Sequence, residues 1–291
     1  MRLRGNLMLL GAAFIWGTTF VAQMAGMEEL GPFSYAAARF FLGFLSLGLL
    51  WLLSGRRKGG SARKRGWKAG LGAGLIMFVA ISMQQVAMLY TTAGKTAFIT
   101  CLYIIFVPIA SVLLHRRIRA ENWAGAVLAL TGLYLLAMQG PLSLGLGDAI
   151  VLLSSFWWTG HILFIDRFAG SVDTIELSMT QIGVCMALSL LFALGFEDIR
   201  WPAIQHAAFP IFYGGVMSAG VAYTLQIVGQ KYAEPAHAAI LMSFESIFGA
   251  LGSWLILGEV MSGREICGCL LMFAGMVVTQ TGGFLHRRRA G

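Results

Sequence analysis

The chain is a train of apolar segments with almost nothing between them. Stretches of helix-spanning length fall at about 5–26, 33–53, 66–90, 93–114, 122–139, 148–166, 174–195, 208–229, 236–257 and 263–284. Each is close to the ~20 apolar residues an α-helix needs to cross a hydrocarbon core. The longest gap is the loop SGRRKGGSARKR at 54–65. No soluble domain fits in any gap, which excludes an ATPase or kinase module within these 291 residues. The expected fold is an all-α polytopic membrane protein with ten transmembrane helices.

Composition agrees. Hydrophobic residues make up 58% and charged residues 12%, where a soluble chain carries about a quarter charged residues. The 37 Gly and only 6 Pro suit closely packed membrane helices. The start, MRLRGNLMLLGAAFIWGTTFVAQMAG, has the basic end and apolar run of a signal peptide. It reads better as a retained first span, because its pattern recurs later in the chain. Cys101, Cys185, Cys267 and Cys269 all lie inside apolar runs and read as small packing residues.

Placing successive loops on alternate sides sorts the basic residues. One side receives 17 of the 21 Lys and Arg: Arg2, Arg4, those between 56 and 68, Arg116, Arg117, Arg119, Arg167, Lys231 and Arg287 to Arg289. The other receives Arg200 and Arg264, while Arg39 and Lys95 lie within spans. The positive-inside rule then puts both termini and the basic loop in the cytoplasm, with the chain integral to the cytoplasmic (inner) membrane. The net charge of +8 thus reports topology, and no nucleic-acid partner is expected.

The sequence also matches itself at an offset of 142. LLGAAFIWGTTF (9–20) meets VLLSSFWWTGHI (151–162), pairing Trp16 with Trp158. QQVAMLYTTAGKTAFIT (84–100) meets QIVGQKYAEPAHAAILM (226–242), pairing Gln84 with Gln226. Ile105-Phe106 meets Ile247-Phe248. The expected organisation is a five-helix repeat over 1–141 and a second over 142–291. Five is odd, so the two repeats must lie inverted in the membrane. Inverted halves are the architecture of alternating-access carriers, with the solute site at their interface near the midplane.

Several stretches carry a family likeness: IWGTTF in the first span, AAARFFLGF in the second, YTTAGKTAFITCLYIIFVP into the fourth, GDAIVLLSSFWWTGH in the sixth and SFESIFGALGSWLILGE in the ninth. With these, the chain resembles the EamA family of the drug/metabolite transporter (DMT) superfamily over essentially its whole length. The resemblance implies a central cavity lined by spans 1, 3, 4, 6, 8 and 9, with spans 5 and 10 peripheral. It implies solutes such as amino acids and other small metabolites. In that family the ninth span usually reads Glu-Pro. Here it reads Glu245-Ser246, a departure that removes a kink from the segment.

Candidate site residues follow from polar groups at membrane depth. Glu245 is the only charge in AHAAILMSFESIFGALGSWLIL. It lies roughly 15 Å from either end of the span, where a carboxylate facing lipid is costly. It shares a helix face with Ala238, Gly249 and Gly252, so another backbone can come close. Three roles stand open: holding a solute ammonium, loading and releasing a proton in each cycle, or pinning the ninth helix to a neighbour. Gln84 and Gln226 bind a polar solute or hydrogen-bond across helices; Gln85 and Gln230 are weaker candidates. Trp158 and His161 share a face of the sixth span, with Trp16 as the repeat mate of Trp158, a wall suited to a flat or apolar solute. Tyr103 adds a phenol in the fourth span. Lys95 either snorkels to the outer interface or meets a solute carboxylate. Arg39, about two turns inside the second span, either meets a solute carboxylate near the outer mouth or, the more ordinary role, pairs with an acid or caps carbonyls at the helix end.

Two motif fragments do not hold. Gly94-Lys95-Thr96 resembles the tail of a phosphate-binding loop, but the required glycine five positions earlier is Leu89. Gly145-Leu146-Gly147-Asp148 resembles an intramembrane aspartyl protease motif, but Asp166, Asp173 and Asp198 all fall at span ends or in loops. Asp148 reads as a helix start. The expectation is therefore a non-enzymatic secondary transporter for a small organic solute, with protons as the candidate coupling ion and membrane lipid around it. No cofactor or metal is expected, and the chain is a monomer or homodimer. The alternatives are an exporter of hydrophobic drug-like cations and, from another class, an intramembrane enzyme or a lipid-handling or sensor protein.

Overall fold

A computed structural model describes residues 2–53, 66–138, 145–257 and 261–289. The basic loop 54–65 and the expected repeat boundary at 141/142 lie outside the described residues. Every described element is helical. In chain order they are α1 (Arg2–Glu29), α2 (Pro32–Leu53), α3 (Trp67–Ala87), α4 (Ala93–Thr100), α5 (Tyr103–Leu113), α6 (Ala120–Ala137), α7 (Leu146–Ala169), α8 (Thr174–Phe196), α9 (Trp201–His206), α10 (Ala208–Phe212), a π-helical stretch (Tyr213–Ala222), α11 (Tyr223–Gln230), α12 (Pro235–Met242), α13 (Glu245–Leu257) and α14 (Gly263–Arg289).

Seven helical segments are long and apolar enough to cross a membrane: Leu3–Glu29, Pro32–Leu53, Trp67–Ala87, Lys95–Leu113, Leu146–Ala169, Thr174–Phe196 and Ala208–Gln230. The other three expected spans coincide with α6, with α12 and α13 together, and with α14, which are helical but not among the seven. The outer surface explains the environment. Leu53, Leu113, Leu194 and Phe196 are each at least 70% exposed, and large apolar side chains cover the outward faces of most of the long helices. A water-soluble monomer rarely exposes apolar patches beyond a few hundred Å². The chain is a polytopic helical membrane protein, and lipid is the solvent of that surface.

Inside, helices pack through small residues. Without a hydrophobic force between helices in lipid, close backbone approach and dispersion hold them together. α1 crosses α13 at Gly17, where an added Cβ would lie 2.4 Å from the Glu245 carbonyl oxygen and 2.7 Å from Gly249 N. Gly249 thus serves the approach expected of the small residues on the Glu245 face. α6 and α14 cross in the same way at Gly132 and Gly268, each of whose added Cβ would strike the other's carbonyl oxygen. α8 packs along α2 and α3. Its carboxylates also finish those helices: Glu197 accepts from Phe33 N and Ser34 N at 2.9 and 2.7 Å, and Glu176 accepts from Gly66 N at 2.7 Å. Negative charge at a helix N-terminus satisfies bare N–H groups and complements the dipole.

Two expected spans are not continuous. The fourth breaks between α4 and α5 at Cys101-Leu102, and the ninth between α12 and α13 at Ser243-Phe244. The backbone is the same at both breaks. Cys101 N donates to Ala97 O and Ser243 N to Ala239 O; Leu102 N donates to Ile99 O and Phe244 N to Leu241 O; Ile104 N donates to Cys101 O and Ser246 N to Ser243 O. Each pair of bonds lies 142 residues apart. The second break corrects the expectation that Ser246, in place of proline, would leave the ninth span unkinked. Tight i→i−3 bonds interrupt the helix, and the Ser243 hydroxyl draws on the Ile240 carbonyl at 2.8 Å. A side chain bonding back into the preceding turn bends a helix without any proline. The eighth span is also irregular, with Tyr213–Ala222 wound as a π-helix.

Candidate functional site

The broken helices, the π stretch and α1, α2, α3, α7 and α11 surround a central cavity. Six of the eight sequence-level candidates line it: Trp16, Gln84, Tyr103, Trp158, Gln226 and Glu245. Numbered by the expected spans, the lining comes from 1, 3, 4, 6, 8 and 9, and additionally from 2 through Arg39. Spans 5 and 10, α6 and α14, contribute nothing to the lining and pack on each other.

Glu245 and Tyr103 arrive by the same device, since each is the first residue of its second half-helix. Glu245 is buried at the positive end of α13, a favourable place for a carboxylate. The Cys101 thiol joins the two breaks. It donates to Glu245 Oε1 at 3.3 Å, with the Tyr103 hydroxyl at 3.8 Å and the Ser246 hydroxyl at 3.7 Å. Glu245 therefore has a weak neutral donor and no cation within ion-pairing distance among the described residues.

The aromatic wall is built around Tyr223, which the sequence reading did not single out. Its ring lies 5.0 Å from Trp16 and stacks nearly parallel to Trp158 at 6.4 Å. Trp157, next to Trp158, points outward and is half-exposed. Both cavity indoles keep an Nε1–H without a partner. Gln84 donates to Thr100 Oγ1 at 2.8 Å. Its mate Gln226 has an unpartnered Oε1, as does Gln23 one turn beyond Phe20. The cavity thus offers free donors and free acceptors on an aromatic frame, which is the composition of a pocket for a small polar organic molecule.

Two candidates stand elsewhere. His161 is buried behind the wall, edge-on to Trp158 and Tyr223, with Nε2 3.2 Å from Gln181 Oε1. Lys95 pairs with Asp148 at 3.2 Å, in a knot where Asp148 also accepts from Thr91 Oγ1 at 2.5 Å and from Gly145 N at 3.0 Å. That knot fixes the start of α7, the role read for Asp148 from sequence. Gln230 donates to the Ile162 carbonyl at 3.0 Å and Gln85 to Met27 Sδ at 3.9 Å, so both serve packing.

Among the described residues, Arg39 takes neither of the two structural roles open to it, the ion pair or the carbonyl cap. It is 1% exposed, borders the cavity, and among the described residues forms no ion pair and no hydrogen bond. Its guanidinium lies over the rings of Phe40 at 4.6 Å and Tyr35 at 5.6 Å. The acids at the two ends of α8, which packs along α2, serve as caps: Glu197 for α2 and Glu176 for α3. Cation–π contact offsets only part of the cost of a buried guanidinium, ~2 kcal/mol at a desolvated site.

A signal for much of the missed lining was present in the offset. Phe20 and Ile162, Ile81 and Tyr223, Thr100 and Met242, and Tyr103 and Glu245 are four lining pairs 142 apart, beside Trp16 with Trp158 and Gln84 with Gln226. Only Gln23, Arg39 and Ser218 line the cavity without a lining mate.

A polytopic helical bundle around an aromatic-walled central cavity with a few polar groups is an architecture that carriers use. The pattern of the EamA-like transporter family matches residues 3–138 and again residues 145–281, and the chain belongs to that family. It is 26% identical over 280 residues to an uncharacterized transporter of Archaeoglobus fulgidus, covering 95% of this chain and 86% of that one. It is 23% identical over 277 residues to the uncharacterized transporter YoaV of Bacillus subtilis, covering 92% and 94%. A crystal structure of a protein 20% identical in sequence superposes with a TM-score of 0.80 over 96% of this chain and 98% of that one, a likeness of fold alone.

Proposed function

We propose that this chain is a secondary transporter that carries a small organic solute, an amino acid, an amine or a related metabolite, across the cytoplasmic membrane by alternating access. In this reading ten spans form two inverted five-helix halves, both termini are cytoplasmic, protons are the coupling ion and export is the net direction. The observation that carries it is the pairing in the cavity wall. Six pairs of lining residues share one sequence offset, and two matching helix breaks meet at the Cys101–Glu245 contact. Two similar halves that share a site can exchange conformations, one side closing as the other opens, while the solute stays near the midplane. Half-helices that end at the cavity are the usual hinges and ligand ends of such carriers.

Glu245 is the proton carrier in this reading. It is a buried carboxylate facing the cavity, with a thiol rather than a cation beside it, so its charge can change without breaking an ion pair. Gln84, Gln226 and the indole N–H groups hold the polar groups of the solute. A second reading, export of hydrophobic cations, rests on the Trp16–Tyr223–Trp158 wall together with the Glu245 carboxylate.

Counterflow in proteoliposomes tests the proposal without knowledge of the driving ion. Vesicles are loaded with a mixed pool of amino acids, amines, nucleosides and organic acids, and exchanged species are identified by mass spectrometry. Saturable exchange of amino acids or amines is the expected result. Absence of exchange of any member, from protein shown to be folded, overturns it. Orientation is tested separately by a reporter fused after Gly291, which is expected to be active only on the cytoplasmic side.

A further inference from the structure

Beside Glu245, whose repeat mate is Tyr103, the cavity wall contains a second charge that its mate does not share. Arg39 corresponds at the 142 offset to Gln181, which is buried against His161 rather than lining the cavity. Arg39 is also the only side chain that brings α2 into the lining. Its Nε and Nη2 are buried and without partners among the described residues. These two N–H groups run parallel along one edge of a guanidinium and form the side-on fork that receives both oxygens of a carboxylate. The group cannot shed its charge by losing a proton. A buried, permanently charged, unsatisfied fork beside a ligand cavity is a binding site waiting for an oxyanion, because a structural arginine at this depth would be tied to a carboxylate or to carbonyl oxygens.

The rest of the wall sorts with it. The unpartnered Nε1–H groups of Trp16 and Trp158 add donors, whereas the free Oε1 of Gln226 and the carboxylate of Glu245 supply acceptors on other helices. Tyr35 and Phe40 hold the guanidinium from behind, by ring contacts that leave its N–H edge unused. Tyr35 is itself fixed by its hydroxyl, which donates to the Pro210 carbonyl at 3.2 Å.

We propose that Arg39 is the anchor for a carboxylate on the transported solute, so that the carrier takes carboxylate-bearing organic molecules and rejects the corresponding amides and bare amines. The solute enters the cavity, the Arg39 side chain turns its Nε–Nη2 fork toward it, and both carboxylate oxygens are engaged. Any ammonium on the same molecule then falls to the acceptors, Glu245 and Gln226. This assignment rests on the transport reading for its function but not for its binding step, and it decides between the two readings given above: a hydrophobic cation has nothing for the fork to hold.

The test compares matched probes on the full-length protein: L-leucine, L-phenylalanine and benzoate against leucinamide, phenethylamine and benzamide. Binding is read as thermal stabilisation of the purified protein, and transport as counterflow in proteoliposomes. Wild type is expected to be stabilised by, and to exchange, at least one carboxylate probe and not its carboxylate-free partner. Arg39→Gln is expected to lose at least tenfold in the apparent affinity for that probe. Arg39→Lys keeps the charge without the fork and serves if the Gln variant fails to fold; it is expected to lose nearly as much. Equal stabilisation by amides and acids, or an Arg39→Lys that binds as wild type does, overturns the assignment. Carboxylate-specific stabilisation without any counterflow supports the Arg39 site and sinks the carrier reading. Exchange of amines untouched by Arg39→Lys does the reverse. Neither binding nor exchange of any probe overturns both.

Discussion

The helix break at ITCLYIIF and the break at LMSFESIF have the same backbone and different chemistry. Three hydrogen bonds repeat one for one and both stretches end in Ile-Phe, yet Thr100 faces Met242, Tyr103 faces Glu245 and Ile104 faces Ser246. One break presents the Tyr103 phenol to the cavity and the other presents the Glu245 carboxylate. The lesson is that the shape of the site belongs to the shared fold, whereas its charge was placed in one half only. The same holds for α2 and α8, where Arg39 borders the cavity and Gln181 binds His161.

The sharpest way to break this comparison is to exchange the chemistry and keep the shape. Glu245→Gln is expected to abolish solute flux driven by an imposed pH gradient while leaving counterflow intact. Tyr103→Phe is expected to reduce driven flux less than tenfold, on the order of the loss of one hydrogen bond. Flux measured against internal pH distinguishes them; a Glu245→Gln carrier that still responds to the gradient removes the proton role.

Next in size is the crossing that holds the second break in place. Gly17→Ala puts a Cβ against backbone atoms of α13, which cannot swing away, and is expected to cost about 1–3 kcal/mol. Gly249→Ala meets the Gly17 carbonyl oxygen at 3.3 Å and is expected to cost less. Melting temperatures of the two variants in the same detergent order them; the reverse order would mean that α1 yields and α13 does not.

The glutamines differ more subtly. Gln84→Ala breaks the bond to Thr100 and is expected to lower stability by about 1 kcal/mol. Gln226→Ala removes an oxygen with no partner among the described residues, and is expected to raise the half-saturation concentration more than it lowers the melting temperature. The smallest effect is expected at His161. His161→Gln keeps a hydrogen-bonding group beside Gln181, behind the wall, and is expected to shift half-saturation by no more than about twofold, since uniform contacts to solute are absent there. Saturation curves for both variants check this.

Much of the site was legible because depth, period and offset are all readable along a chain. Glu245, Gln84, Gln226, Trp16, Trp158 and Tyr103 were named from those signals, and the cavity brings them together. His161 shares a helix face with Trp158, but one turn carries it behind the wall; periodicity gives a face, and only neighbouring helices decide which part of that face is open. Lys95 was placed within reach of a solute because its charge looked unanswered, and Asp148, 53 residues on, answers it. Tyr223 was passed over because a tyrosine in an apolar span carries no mark until its neighbours are known.

By itself the sequence determined that this chain is helical, apolar on its outside and without room for a soluble domain. Hydrocarbon leaves only helices and closed barrels to satisfy a backbone, continuous apolar runs of about 20 residues fit the helix, and residue count sets how often it can cross. It also determined which side chains lie at mid-depth. What the tertiary structure alone decided is where the helices break and which charges go unpaired. The ninth span breaks at a serine where no proline stands, its ladder replaced by i→i−3 bonds and the Ser243 hydroxyl bonded to the Ile240 carbonyl, and Gly17 of α1 lies against the half-helix that follows. Arg39 reads from sequence as half of an ion pair, and only the packing of α2 against α8 and the π stretch shows that no described residue supplies the other half.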